Sequence, residues 1–132
     1  MLRAETVRRI FCYLPAVGVA AAVAVLSLIE NPYMPLQQTC NDKFWHTVMY
    51  VGLAFVLMGG MVLDKHCSWR YAFCTWTIST LYGGLIELLQ VCCTVSRTGD
   101  WDDWYADMIG AAVGVALVYI CLWICRKTGC IK

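Results

Sequence analysis

Residues 85–103, LIELLQVCCTVSRTGDWDD, decide how the chain must be read. An apolar run carries Glu87 and Gln90, then closes on an arginine and three aspartates. On a soluble helix such a pattern is ordinary. Inside a bilayer a carboxylate is costly, faces the protein interior or water, and marks a functional site by default. The solvent around this stretch is therefore the first thing to establish.

Composition answers that question. The 132-residue chain is 61% hydrophobic and 14% charged, against roughly 25% charged residues in ordinary soluble domains. Its mean hydropathy is +0.64. A soluble fold of this size cannot hide so much apolar surface, so the lipid bilayer is the expected partner. The length suits one domain over residues 1–132. A net charge of +1, with no basic patch, argues against nucleic acid.

Working outward from Glu87, four apolar runs of spanning length appear at about 11–29, 44–63, 71–93 and 104–125. The connections are short, which predicts antiparallel neighbours and an all-α, up-down four-helix bundle in the membrane. Arg3, Arg8 and Arg9 precede the first run in the manner of a signal peptide. That run is long, however, and ends in Glu30-Asn31-Pro32 without a small-residue cleavage pattern, so an uncleaved helix is expected. Arg3, Arg8, Arg9, Lys65, Arg70, Arg126, Lys127 and Lys132 fall on one side of the runs, and only Lys43 and Arg97 on the other. The bias toward cytoplasmic Lys and Arg predicts that both termini are cytoplasmic and that 30–43 and 94–103 face outward. Trp45, Trp101 and Trp104 then sit at the outer interface, Trp69 and Tyr71 at the inner one.

The nine cysteines include no CxxC pair. Cys12, Cys74, Cys121 and Cys125 lie in or beside apolar runs, where free cysteine acts as a small apolar side chain. Cys40 with Cys92 or Cys93 is the bridge worth testing, because all three fall near one surface.

Three of the runs carry a polar or small stripe that lipid would not tolerate. Asp42, His46 and Tyr50 recur every four residues on the second, with Lys43 a turn from His46. Thr80, Gly83, Glu87, Gln90 and Thr94 line one face of the third. Asp103, Asp107, Gly110 and Gly114 line one face of the fourth. Facing all three stripes inward predicts an acidic, outward-opening pocket on the bundle axis. Gly83, Gly84, Gly110 and Gly114 read as close-packing positions. Glu87 is then sheltered from lipid, can find His46, Lys43 or Arg97, and is a candidate proton carrier or general acid. Arg97 and Lys43 can grip a phosphate or carboxylate. Asp100, Asp103 and Asp107 with His46 offer oxygen-rich donors to a divalent cation, although their spacing matches no metal motif. No P-loop, nucleophile elbow or HExxH is present, and the sequence leaves any cofactor unknown.

The stretch Asp42-Lys43-x-x-His46-x-x-x-Tyr50-x-x-Leu53 resembles the opening motif of the VanZ-like membrane proteins. Gly84-Leu-Ile-Glu87-x-x-Gln90, followed by Arg97-Thr-Gly-Asp100-Trp-x-Asp103-x-x-x-Asp107-x-x-Gly110-x-x-x-Gly114, resembles their second and third motifs. The likeness covers about 42–114. Many members have asparagine at the position of Asp107 and serine at that of Thr98. The family is named for a protein linked to low-level resistance to teicoplanin, a lipid-tailed glycopeptide. The resemblance implies a bacterial cytoplasmic membrane setting, with the motif residues toward the envelope.

Two functions follow as expectations. One is a non-enzymatic envelope factor that binds a lipid-linked or lipid-tailed molecule at the outer leaflet, related to glycopeptide tolerance. The other is a membrane enzyme acting on a lipid-linked phosphate or cell-wall precursor, with Glu87 or Asp103 as acid or base. Proton-coupled transport ranks last, since four short helices show no internal repeat and would need a homo-oligomer.

Overall fold

The structure, a computed structural model, describes residues 2–29, 40–94 and 99–130, with side chains from residues 4 and 43 onward in the first two segments. Four helices make up the described chain: α1 (Leu2–Leu28), α2 (Cys40–Leu63), α3 (Trp69–Cys93) and α4 (Trp101–Lys127). All four are long and apolar enough to cross a membrane, and no strand occurs among the described residues. Helices suit this setting because they satisfy every backbone N–H and C=O within the segment.

The helices run past the apolar stretches into charged turns. α1 takes in Glu5, Arg8 and Arg9. α4 starts where the Asp100 side chain accepts from the Asp102 N–H at 3.0 Å. Asp102 and Asp103 in its first turn complement the positive end of the helix dipole, and Arg126 and Lys127 complement the negative end. Gly129 at φ 72° then closes α4, with the Cys130 N–H reaching the Cys125 carbonyl at 3.0 Å.

Amphipathicity is inverted relative to a soluble bundle. The buried residues of α3 are Thr75, Ser79, Thr80, Gly83, Ile86, Glu87 and Gln90, all small or polar but one. Phe73, Ile78, Leu81, Leu85, Leu88 and Val91 of the same helix are exposed. Since lipid tails are as apolar as leucine, the inside of such a bundle is held by close packing and hydrogen bonds instead.

Chain direction alternates, yet the most extensive packing joins α2 to α4, which run parallel. Their register is fixed by glycine. A Cβ on Gly110 would collide with the Thr47 carbonyl, and one on Gly114 with the Val51 carbonyl. These two backbones touch at successive turns because nothing lies between them. Short connections predict sequence neighbours as the main partners; here two small residues make a more intimate contact between helices that are not adjacent in the chain.

The other pairs are held by side chains reaching backbone. Trp104 and Trp76 of the antiparallel α3–α4 pair donate to the Thr80 and Met108 carbonyls at 2.9 and 3.1 Å. α1 is tied to α3 by Tyr82 and Gln90, which donate to the Ala20 and Ser27 carbonyls at 2.7 and 2.9 Å. At one end of the α1–α2 pair, buried Asp64 meets Arg8 at 2.9 Å and Arg9 at 3.6 Å. The Arg8 contact is Coulombic, without hydrogen-bond alignment at Asp64 Oδ1.

Substituting Gly110→Val should separate α2 from α4 at the Thr47 carbonyl and cost on the order of 1–3 kcal/mol, as overpacking does. Thermal unfolding in detergent reads that loss. Gly59→Ala, where an added Cβ meets nothing within 4 Å, should unfold as the wild type does.

Candidate functional site

The parallel register of α2 and α4 brings His46 against Asp107. His46 Nδ1 lies 3.1 Å from Asp107 Oδ1, a distance at which a protonated Nδ1 donates to the carboxylate. Both residues are at most 1% exposed. Glu87 of α3 completes the group from the third side, its Oε1 3.8 Å from the same nitrogen. One ring nitrogen cannot bond both carboxylates, so Glu87 Oε1 is left without a hydrogen-bond partner, as is Asp107 Oδ2. Glu87 Oε2 is satisfied: it accepts the Asp100 N–H at 3.0 Å.

Gly83 makes room for this arrangement. A Cβ there would sit 2.6 Å from Asp107 Oδ2, so the aspartate lies directly on the α3 backbone. One turn along α2 from His46, the Tyr50 hydroxyl is wholly buried and without a hydrogen-bond partner. It is within Coulombic range of Asp107 and Glu87. Asp103, buried one turn before Asp107 on α4, acts electrostatically on His46. His46, Glu87 and Asp107 each offer a donor atom within 4.8 Å of the others'.

The remaining residues of the sequence stripes take different places. Lys43 pairs with Asp102 at the exposed rim rather than with Glu87. Gln90 is buried but turns its amide to α1. Asp100 contributes its backbone to Glu87 and its side chain to the α4 cap, not to a group with His46. Gly84 packs on the Trp104 indole, 3.2 Å from where its Cβ would be. Arg97, and the side chains of Asp42 and Cys40, lie outside the described residues; Cys92 and Cys93 are exposed free thiols.

Beside Glu87 a groove of about 360 Å³ opens between α3 and α4. Leu88, Val91, Trp101 and Trp104 supply its apolar wall, and Glu87 and Asp100 its polar members. Three of those apolar residues, Leu88, Val91 and Trp101, are exposed on the outer surface of the bundle. The groove therefore joins an apolar surface to the buried acidic group.

The chain matches the family model described as VanZ/LLP1 over residues 21–123. It belongs to the VanZ/LLP1 family. No curated protein and no solved structure was found to match it. The span matched contains every motif residue from Asp42 to Gly114, and with it the whole His46–Glu87–Asp107 group. It also takes in the end of α1, a helix without a motif, whose Ser27 carbonyl is nonetheless the acceptor for Gln90. This member of the family is thus a multi-pass membrane protein whose bundle encloses ionisable side chains.

Some partners of the site leave no mark in sequence. The Asp100 N–H is a backbone group, and Trp104 looks like an ordinary interfacial aromatic. The one available signal is the helix-starting pattern around Asp100, which places free N–H groups near the end of α3. Replacing Glu87 by glutamine keeps an oxygen for the Asp100 N–H, whereas leucine strands that donor. Glu87→Leu should therefore lose about 1–3 kcal/mol relative to Glu87→Gln, as measured by unfolding of the two detergent-purified variants.

Proposed function

We propose that this VanZ/LLP1 protein binds a lipid-linked or lipid-tailed molecule at the outer leaflet of the bacterial cytoplasmic membrane, in a role related to glycopeptide tolerance. The observation that carries this reading is the groove beside Glu87: an apolar wall on the lipid-facing surface that leads to ionisable groups. An acyl or prenyl chain lies along Leu88, Val91 and Trp101, and the polar head approaches Glu87 and Asp100. Arg97 and Lys43 give an anionic head group its counter-charge.

Orientation follows from the Lys and Arg distribution: the α2–α3 connection and both termini are cytoplasmic, and the groove end faces outward. Native thiols test it. Cys67 and Cys130 are exposed toward one end of the bundle and Cys92 and Cys93 toward the other. An impermeant thiol reagent should label Cys92 or Cys93 in intact cells and reach Cys67 and Cys130 only after permeabilisation. The reverse pattern would invert the assignment.

Lipid identification in the purified protein tests binding. Leu88→Trp fills the groove from its exposed side, and Arg97→Ala removes the head-group cation. Each should lower the co-purified lipid at least about tenfold, equivalent to 1.4 kcal/mol of binding, while leaving the fold intact. Unchanged lipid content in both variants would end this reading. In a susceptible host, tolerance to teicoplanin but not vancomycin should follow expression of the wild type and fall with Leu88→Trp.

The His46–Asp107 contact beside Glu87 favours one alternative, an enzyme that acts on a lipid-linked phosphate or cell-wall precursor. There Glu87 or Asp103 is the acid or base and His46 its partner. Turnover of a lipid phosphate by the purified protein, lost in Glu87→Gln with lipid binding retained, distinguishes it from binding alone.

A further inference from the structure

We infer that His46, Glu87 and Asp107 form a binding site for one divalent transition-metal ion of the zinc or manganese type. The inference concerns the buried group itself and does not depend on what the groove carries. Its first support is charge. Two carboxylates and at most one imidazolium are gathered inside a bundle, and among the described residues no lysine or arginine pairs with either carboxylate. Ionised groups at this depth require a counter-charge, and a dication supplies it where one proton on His46 does not.

The second support is the set of oxygens left over. Glu87 Oε1, Asp107 Oδ2 and the Tyr50 hydroxyl are buried without hydrogen-bond partners, on residues 8%, 0% and 0% exposed. Buried polar atoms are nearly always satisfied, so exceptions gathered at one place need an explanation. A cation satisfies carboxylate oxygens that no donor from the described chain reaches.

The third is distance. Donors held about 2.1 Å from a zinc-sized ion lie roughly 3.0–3.4 Å from one another. Once His46 releases its Nδ1 proton to solvent and that nitrogen turns its lone pair to the ion, the Nδ1 separation of 3.1 Å from Asp107 Oδ1 lies inside that interval and the 3.8 Å to Glu87 Oε1 lies just beyond it. Glu87 is moreover held by its other oxygen, through the Asp100 N–H at 3.0 Å, which orients a single oxygen toward the ion as outer-shell partners of metal ligands do. One imidazole and two carboxylates, with no sulfur, suit zinc or manganese over softer ions. Since Glu87 also lines the groove, an ion held by it stands at the groove wall.

The test must separate this site from the nine cysteines, whose thiols are zinc ligands in their own right when deprotonated. Full-length protein in detergent is stripped with chelator, its thiols are blocked, and it is titrated with Zn²⁺ and with Mn²⁺ by equilibrium dialysis. One equivalent is expected, weakened at least tenfold by Asp107→Asn and by His46→Gln and unchanged by Glu5→Gln. Failure of the thiol-blocked protein to bind either ion would overturn the inference, as would binding indifferent to both site variants. Should those variants not fold, Co²⁺ on the thiol-blocked wild type gives the answer. Intense d–d absorption supports the nitrogen and oxygen donor set; the spectrum of hydrated cobalt refutes it.

Discussion

The contact on which the rest of the molecule depends is the backbone-to-backbone approach of α2 and α4 at Gly110 and Gly114. Without side chains there, the two helices settle against the Thr47 and Val51 carbonyls. That seat fixes the parallel register, and the register carries His46 to Asp107 three residues before Gly110. A larger residue at either glycine would move the imidazole and the carboxylate apart even though neither was touched. Packing in the lower part of the bundle and chemistry in the upper part are thus one constraint read at two heights.

The same economy governs α3. Gly83 admits the Asp107 carboxylate to the helix surface, and Gly84 admits the Trp104 ring. Trp104 then donates to the Thr80 carbonyl and holds α4 at the height where the Asp100 N–H meets Glu87. Small residues in a membrane bundle let backbones approach. Here they also decide which ionisable side chains can be buried next to each other, because a carboxylate fits where a methyl would have been.

Much of this was legible before any coordinates. Apolar length gave four spans, and the polar stripes on α3 and α4 identified the faces that turn inward, because in lipid the costly residues are the informative ones. Periodicity, however, assigns a face and not a height. It could not say that Lys43 would stop at Asp102 in the rim, that Gln90 would serve α1, or that Asp100 would cap its own helix. Nor could it select Glu87 over Asp100 and Asp103 as the companion of His46 and Asp107. Asp64 follows an apolar run as a lone aspartate and belongs to no polar stripe, so its sequence context carries no signal of burial. It is nonetheless buried, with Arg8 and Arg9 of α1 and His66 against its carboxylate.

The VanZ-like pattern that these residues resemble often carries asparagine where this chain has Asp107, and the geometry gives that difference a physical sense. An asparagine beside His46 could accept from Nδ1–H through its carbonyl, while its neutral amide would face Gly83. Aspartate has acceptors on both sides. It adds a second negative charge beside Glu87 and makes the interior dependent on something positive. Asparagine would leave this group with one carboxylate; aspartate gives it two, the charge that a cation balances. One atom, oxygen in place of nitrogen at a residue with no exposed surface, separates a structural polar knot from a site with an electrostatic requirement.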